Sequence, residues 1–238
     1  MQRSATLPYK LLAGVEPCPG GWLVVTGRLQ GITLLPQSPQ VFPTLVEVLD
    51  HKPAFEVIAL HAPIGLRNQP GPRACDREAR ATLGWPSSGA ILPAPTRAAL
   101  AESDYDEARA ANGGALGVVT WALMARIREV DAAIQPYWQR TVFEVHPELA
   151  FHRLNGDAPL RYSKRDVVGA KERRTLIETK FPGAERVTDH RVKGARRHHV
   201  VDALADLWTA RRIASKAVQR LPAEPEWDDL GLRMEIVS

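Results

Sequence analysis

Residues 141–147, TVFEVHP, constrain this chain more than any other stretch. Thr141, Val142, Phe143 and Val145 are β-branched or aromatic, and Pro147 cannot donate to a sheet ladder, so a strand has to end at Glu144 to His146. That ending puts ionisable groups at the C-terminal edge of a sheet, where ligands bind in open α/β folds. A lone polar position on a half-solvated strand accounts for Glu144 equally well, and both readings stay open. The same pattern recurs at 55–60, FEVIAL, flanked by Pro53 and Pro63, with His61 at its end. His61 is read either as a turn or core histidine or as a second polar group on that edge.

Three short apolar runs precede it, at 11–15, 22–26 and 32–35, separated by PCPGG at 17–21 and by Gly27 and Gly31. They read as an antiparallel meander, and PCPGG as a hairpin turn, since it matches no phosphate-binding loop. Residues 41–49 suit a helix crossing the sheet. Helical patterns follow at 71–84, 98–111, 117–135, 147–155, 170–181 and about 199–220. In the third of these, Trp121, Met124, Ile127, Val130 and Ile134 recur at core spacing. Residues 84–97, rich in proline, are expected to form an ordered flap in which Ser87 and Ser88 can donate hydrogen bonds. Residues 1–8 are expected to fray, and a polar tail with Pro222 and Pro225 to lead into an edge strand or docked terminus at 232–237. The whole reads as one α/β domain, 1–238, with a helical and loop insertion at about 66–136.

The 238 residues are 45% hydrophobic and 24% charged, enough for a large core without staples. Two cysteines without ligand spacing exclude a disulfide framework and a zinc knuckle. No apolar run reaches membrane-spanning length, and no leader pattern opens the chain, so a cytoplasmic protein without a membrane partner is expected. The formal net charge of +4 is compatible with a polyanionic partner. Lysines and arginines concentrate in 161–174, 186–197 and 211–220, so phosphate contacts are expected there, from Lys164, Arg165 and Arg173. No aromatic ladder interleaves with them. Asp202 and Asp206, four residues apart, lie together on a helical wheel opposite Val200, Val201, Leu204 and Leu207. Such a pair holds a metal or decorates a solvated face, and the wheel favours the solvated face.

The strings GVEPCPGGW (14–22), ALHAPIGL (59–66), GPRACDREAR (71–80), VFEVHPELAF (142–151), PLRYSKRDVVG (159–169), VDALADLWTARRIA (201–214) and GLRMEI (231–236), taken together, resemble DUF429. This is a bacterial family of unknown-function proteins predicted to be nucleases of ribonuclease H-like fold. The resemblance implies a mixed five-stranded sheet, three strands antiparallel and two parallel, flanked by helices. It implies divalent-metal-dependent phosphodiester hydrolysis with Mg2+ or Mn2+ as cofactor and nucleic acid as partner. Position by position, it places Glu16, Glu144 and Asp202 as metal-binding catalytic acids and His61 as a fourth catalytic residue. Ser87, Ser88, Lys164 and Arg173 become substrate contacts. Glu16 stands where the family has aspartate, His61 where it has an acid in an A-x-D-x-P-x-G string, and His199 where an acid is common. These changes lengthen one ligand arm and remove carboxylates, which weakens a magnesium site. A non-catalytic nucleic-acid or protein-binding module and a hydrolase of small phosphorylated compounds are the alternatives. The sequence does not fix the oligomeric state.

Overall fold

The structure is a computed structural model describing residues 8–238, so the fraying expected at 1–8 lies, apart from Pro8, outside the described residues. In chain order the strands are β1 (Lys10–Cys18), β2 (Gly21–Gln30), β3 (Thr33–Pro36), β4 (Gln40–Phe42), β5 (Val57–Leu60), β6 (Val142–Glu144), β7 (Arg220–Trp227) and β8 (Arg233–Val237). The helices are α1 (Leu45–Leu49), α2 (Ala74–Leu83), α3 (Arg97–Ala101), α4 (Tyr105–Ala111), α5 (Val118–Ala133), α6 (Pro147–Leu154), α7 (Val167–Lys180) and α8 (Arg197–Ala214).

The meander forms as the glycine punctuation requires. β1 and β2 pair antiparallel from Lys10 opposite Leu29 to Cys18 opposite Gly21, and β3 continues antiparallel on β2. Gly21 closes the hairpin at φ +132, where a Cβ would lie 2.1 Å from the Phe42 carbonyl oxygen. β5 then joins β1 in parallel and β6 joins β5 in parallel, so the main path reads β3-β2-β1-β5-β6. Three antiparallel strands followed by two parallel ones, with helices on both faces, form a ribonuclease H-like sheet. Parallel neighbours need long crossovers, and α2 to α5 fall within the one between β5 and β6.

Side-chain alternation divides the core in two. Leu12, Leu23, Val25, Val57 and Ala59 face α8, α6 and α7. Val15, Trp22, Val24, Ile58, Leu60 and Val142 form the opposite core with α1 and α5. Gly14 brings α8 onto the sheet, since a Cβ there would lie 2.1 Å from the Ala203 oxygen and 2.3 Å from the Leu207 nitrogen. Backbone therefore rests on backbone at the centre of β1.

Three local expectations are corrected. The crossover stretch 41–49 divides into β4 and α1, because Thr44 caps α1 by accepting from the Glu47 amide and leaves Gln40–Phe42 extended against β2. The helix expected at 98–111 divides into α3 and α4, because the Asp104 carboxylate accepts from the amides of Asp106 and Glu107 and starts a new helix. The tail expected to be polar is strand β7, paired with β8 and irregular between Leu221 and Glu226, where Pro222 and Pro225 lie. A two-stranded ribbon tolerates prolines where the ladder is interrupted.

Candidate metal centre and its cleft

Register builds the site. Gly14 pairs with Ala59 and Val15 with Leu60, and the His61 amide donates to the Val15 carbonyl at 2.9 Å, so Glu16 and His61 emerge side by side at the C-terminal edge. Both are one residue past members of the α1/α5 core, so they point to the α8 face. His61 Nδ1 lies 2.6 Å from Glu16 Oε2. On α8, Asp206 shares the sheet-facing stripe with Ala203 and Ala210, three and four residues away. The resulting group is Glu16, His61 and Asp206, whose ligand atoms lie within 4.8 Å of one another.

Asp206 is completely buried, and neither carboxyl oxygen has a hydrogen-bond donor among the described residues. Burial, then the charges of Glu16 and Asp202, raises its pKa well above the ordinary carboxylate value. Asp202, one turn earlier, is held by Lys164 Nζ at 3.3 Å. The charge of Asp202 in turn keeps Lys164 protonated beyond the usual lysine range. Three carboxyl groups thus gather near one ammonium. The wheel reading that gave Asp202 and Asp206 a solvated face is overturned, because α8 is enclosed between the sheet and α6 and α7.

Glu144 is placed differently. It pairs with Leu60, not with His61, so its side chain leaves the sheet on the α1/α5 face. There it accepts from Arg73 Nη2 at 2.6 Å, Arg73 Nη1 at 2.9 Å and the Ile64 amide at 2.7 Å. Asp76 takes the other side of the guanidinium, with Nη2 donating at 2.7 Å. With both oxygens committed, Glu144 is a strut that ties the start of α2 to β6 while its side chain lines the same cleft as Glu16 and His61. Arg173, expected as a phosphate contact, is committed to other partners as well. Its guanidinium forms a fork with the buried Glu148 and donates at 3.0 Å to the carbonyls of Tyr162 and Gly169. It braces the loop that carries Lys164.

Glu16, His61, Glu144, Asp202, Lys164, Arg173 and Ser87 all line one cleft of about 490 Å³, whereas Ser88 does not. Ser88 instead gives its carbonyl to the Ile91 amide at the end of the turn Ser87–Ala90. The flap at 84–97 is fastened by Arg80 Nη1 donating to the Ile91 carbonyl at 2.7 Å and by the Thr96 amide donating to Asn112 Oδ1 at 2.8 Å. His146 Nδ1 accepts from the Glu148 amide at 3.1 Å, so the proton of the neutral ring sits on Nε2. Burial, with His61 and Lys164 nearby, makes protonation of His146 much harder than usual.

His199 is also held neutral, its pKa lowered to about 4 by burial and by His198. Its Nδ1 accepts from the Arg196 amide at 3.0 Å. A depressed histidine contributes stability above its unfolded value, about 6.5, that is lost as pH falls toward the folded value. Replacing His199 by Gln, which can still accept from Arg196, should therefore flatten the fall in urea midpoint between pH 6.5 and pH 4.5. Parallel curves for the two proteins would contradict this. The comparison removes Asp206, whose raised pKa acts in the opposite sense in both proteins.

The family model described as a protein of unknown function, DUF429, matches residues 14–227. The chain belongs to DUF429. Neither the search of curated proteins nor that of solved structures found a match. The matched span of this DUF429 member runs from Gly14, where α8 rests, through Glu16, His61 and Asp206 to the end of β7. Among the described residues no helix is long and apolar enough to cross a membrane. Asp206, absent from the expected site residues, was visible in the sequence as the i+4 partner of Asp202.

Proposed function

We propose that this DUF429 member is a divalent-metal-dependent phosphodiester hydrolase whose ion is held by Glu16, His61 and Asp206. The observation that carries the reading is Asp206, a fully buried carboxyl group with two donor-free oxygens beside a second acid and an imidazole. A buried carboxylate without partners is costly, and a cation is the group that relieves it. Two carboxylate oxygens with an imidazole nitrogen suit Mn2+ better than Mg2+. Such an ion supplies a Lewis acid for the phosphoryl oxygen and a metal-bound nucleophilic water.

The chain's own groups divide the remaining work. His61 Nδ1 and Glu16 Oε2 share a hydrogen bond at 2.6 Å in the metal-free protein, and a bound ion would take the place of the shared proton. Lys164 keeps a permanent positive charge beside Asp202 on the side where a phosphate enters. His146 and His199 stay neutral and add no positive charge to the cleft.

The test is hydrolysis of bis(p-nitrophenyl) phosphate with Mn2+ or Mg2+, alongside metal titration calorimetry. The wild-type protein should turn over faster with Mn2+. His61→Asp, which restores a hard oxygen ligand, should lower the Mn2+-to-Mg2+ rate ratio by about tenfold or more, since changing even a group that only orients a ligand alters metal affinity by about 10–100-fold. Absence of binding and turnover with both ions in both proteins would sink the proposal.

A further inference from the structure

We infer that the substrate enters the cleft as one unpaired nucleotide unit, its base against the wall formed by the flap and α5 and its phosphate toward Lys164. This inference rests on the hydrolase reading above and names the substrate class for the same site. The two walls differ in chemistry. Leu92 and Pro93 of the flap and Val119, Leu123 and Ile127 of α5 supply apolar lining, interrupted by Thr120, Arg126 and the Arg73–Glu144 pair, whereas Glu16, His61, Asp202 and Lys164 supply the lining on the α8 side. A phosphoester matched to both has a flat apolar body joined to a phosphate.

Ser87 adds an edge contact. It is 5% exposed and lines the cleft, and its Oγ has no hydrogen-bond partner among the described residues. A hydroxyl buried in this way costs free energy until a ligand supplies the missing partner. Apolar walls with a hydrogen-bonding group at the edge are how proteins hold a base removed from its stack. The cleft volume of about 490 Å³ lies within the usual range for small-molecule sites, about 300–1,000 Å³. A duplex keeps its bases stacked and paired, so it cannot place one between the flap and α5. At the mouth, exposed Arg165 makes no side-chain hydrogen bond or ion pair among the described residues, which leaves a cation for an entering phosphate.

A free nucleotide and the unpaired end of a strand present the same unit, and binding distinguishes them. Calorimetry in EDTA would use the four ribonucleoside 5′-monophosphates, an eight-nucleotide single strand and its blunt duplex, with the full chain and with Ser87→Ala and Val119→Trp. Val119 is 45% exposed, so a larger side chain there obstructs the cleft without entering the core. The monophosphates and the single strand should bind and compete, with the duplex at least about tenfold weaker. Equal affinity for monophosphate and strand identifies the free nucleotide as the ligand, and a tighter strand identifies the strand end. Ser87→Ala should weaken binding by about tenfold, about 1.4 kcal/mol, without lowering Tm, because Oγ has no partner to lose. Val119→Trp should weaken it further.

A duplex that binds as tightly as the single strand, no binding of monophosphates, or mononucleotide binding unchanged in both variants would overturn the inference. Because binding is read without metal, a failure of hydrolysis with every ion would remove the proposed activity and leave this result standing. Hydrolysis of duplex at the wild-type rate in Ser87→Ala would do the reverse.

Discussion

Asp206→Asn should abolish divalent-metal binding and lower hydrolysis by about a thousandfold, a loss of the size seen when one preorganised transition-state contact is removed, while making the metal-free protein more stable. The two effects share one cause. Asp206 is fully buried beside Glu16 and has no donor of its own, so at neutral pH the fold holds either a strained pair of anions or a proton. An amide of the same shape carries no charge and donates to Glu16. The gain should be about 1–3 kcal/mol, the usual cost of an unsatisfied buried group, or roughly 2–4 °C in Tm per kcal/mol for a chain of this size. The sign with pH follows from the raised pKa of Asp206. The native state holds that proton where the unfolded chain has lost it, so wild-type stability falls as pH rises from about 3.9 toward the folded value. The variant lacks that slope, and its advantage should be larger at pH 8 than at pH 5. Thermal unfolding at both values, with and without Mn2+, measures it. A variant less stable than the wild type at pH 8, or one still stabilised by Mn2+, would refute the assignment.

Glu144→Ala should act in the opposite way, lowering stability by about 3–5 kcal/mol, the usual cost of breaking a buried ion pair, without removing the metal site. The Arg73 guanidinium is 3% exposed and relies on Glu144 for two of its hydrogen bonds, and the Ile64 amide relies on the same carboxylate. Asp76 alone would then face the buried cation. Glu144→Gln, which can still accept from Ile64, should lose less. Urea unfolding gives the energies, and Mn2+ titration of the folded protein gives the stoichiometry, which should match that of the wild type. A near-neutral Glu144→Ala with lost metal binding would return Glu144 to the ligand set.

The sheet was largely legible in the sequence because its signals are local. Glycine and proline punctuate the meander at 17–21, 27 and 31, and prolines bracket the parallel strands at 53, 63 and 147. The candidate site was less legible because it depends on register. Whether Glu144 lies beside His61 or beside Leu60 decides its face, and one residue of register reverses the answer. Nothing in the run TVFEVH states which neighbour pairs with which. Asp206 was misjudged for a related reason. A wheel sorts residues by face but does not show that both faces of α8 are covered, and it is the contact at Gly14 that draws Asp206 toward Glu16. Arg173 resembled a phosphate ligand because its partner, Glu148, is 25 residues away on another helix.

The most direct test is a crystal of the wild-type protein soaked in Mn2+ and measured at a wavelength where manganese scatters anomalously. One anomalous peak should lie within coordination distance of Glu16, His61 and Asp206. With saturating Mn2+, no peak among those three side chains, or a peak held by Glu144 in place of Asp206, would contradict the assignment.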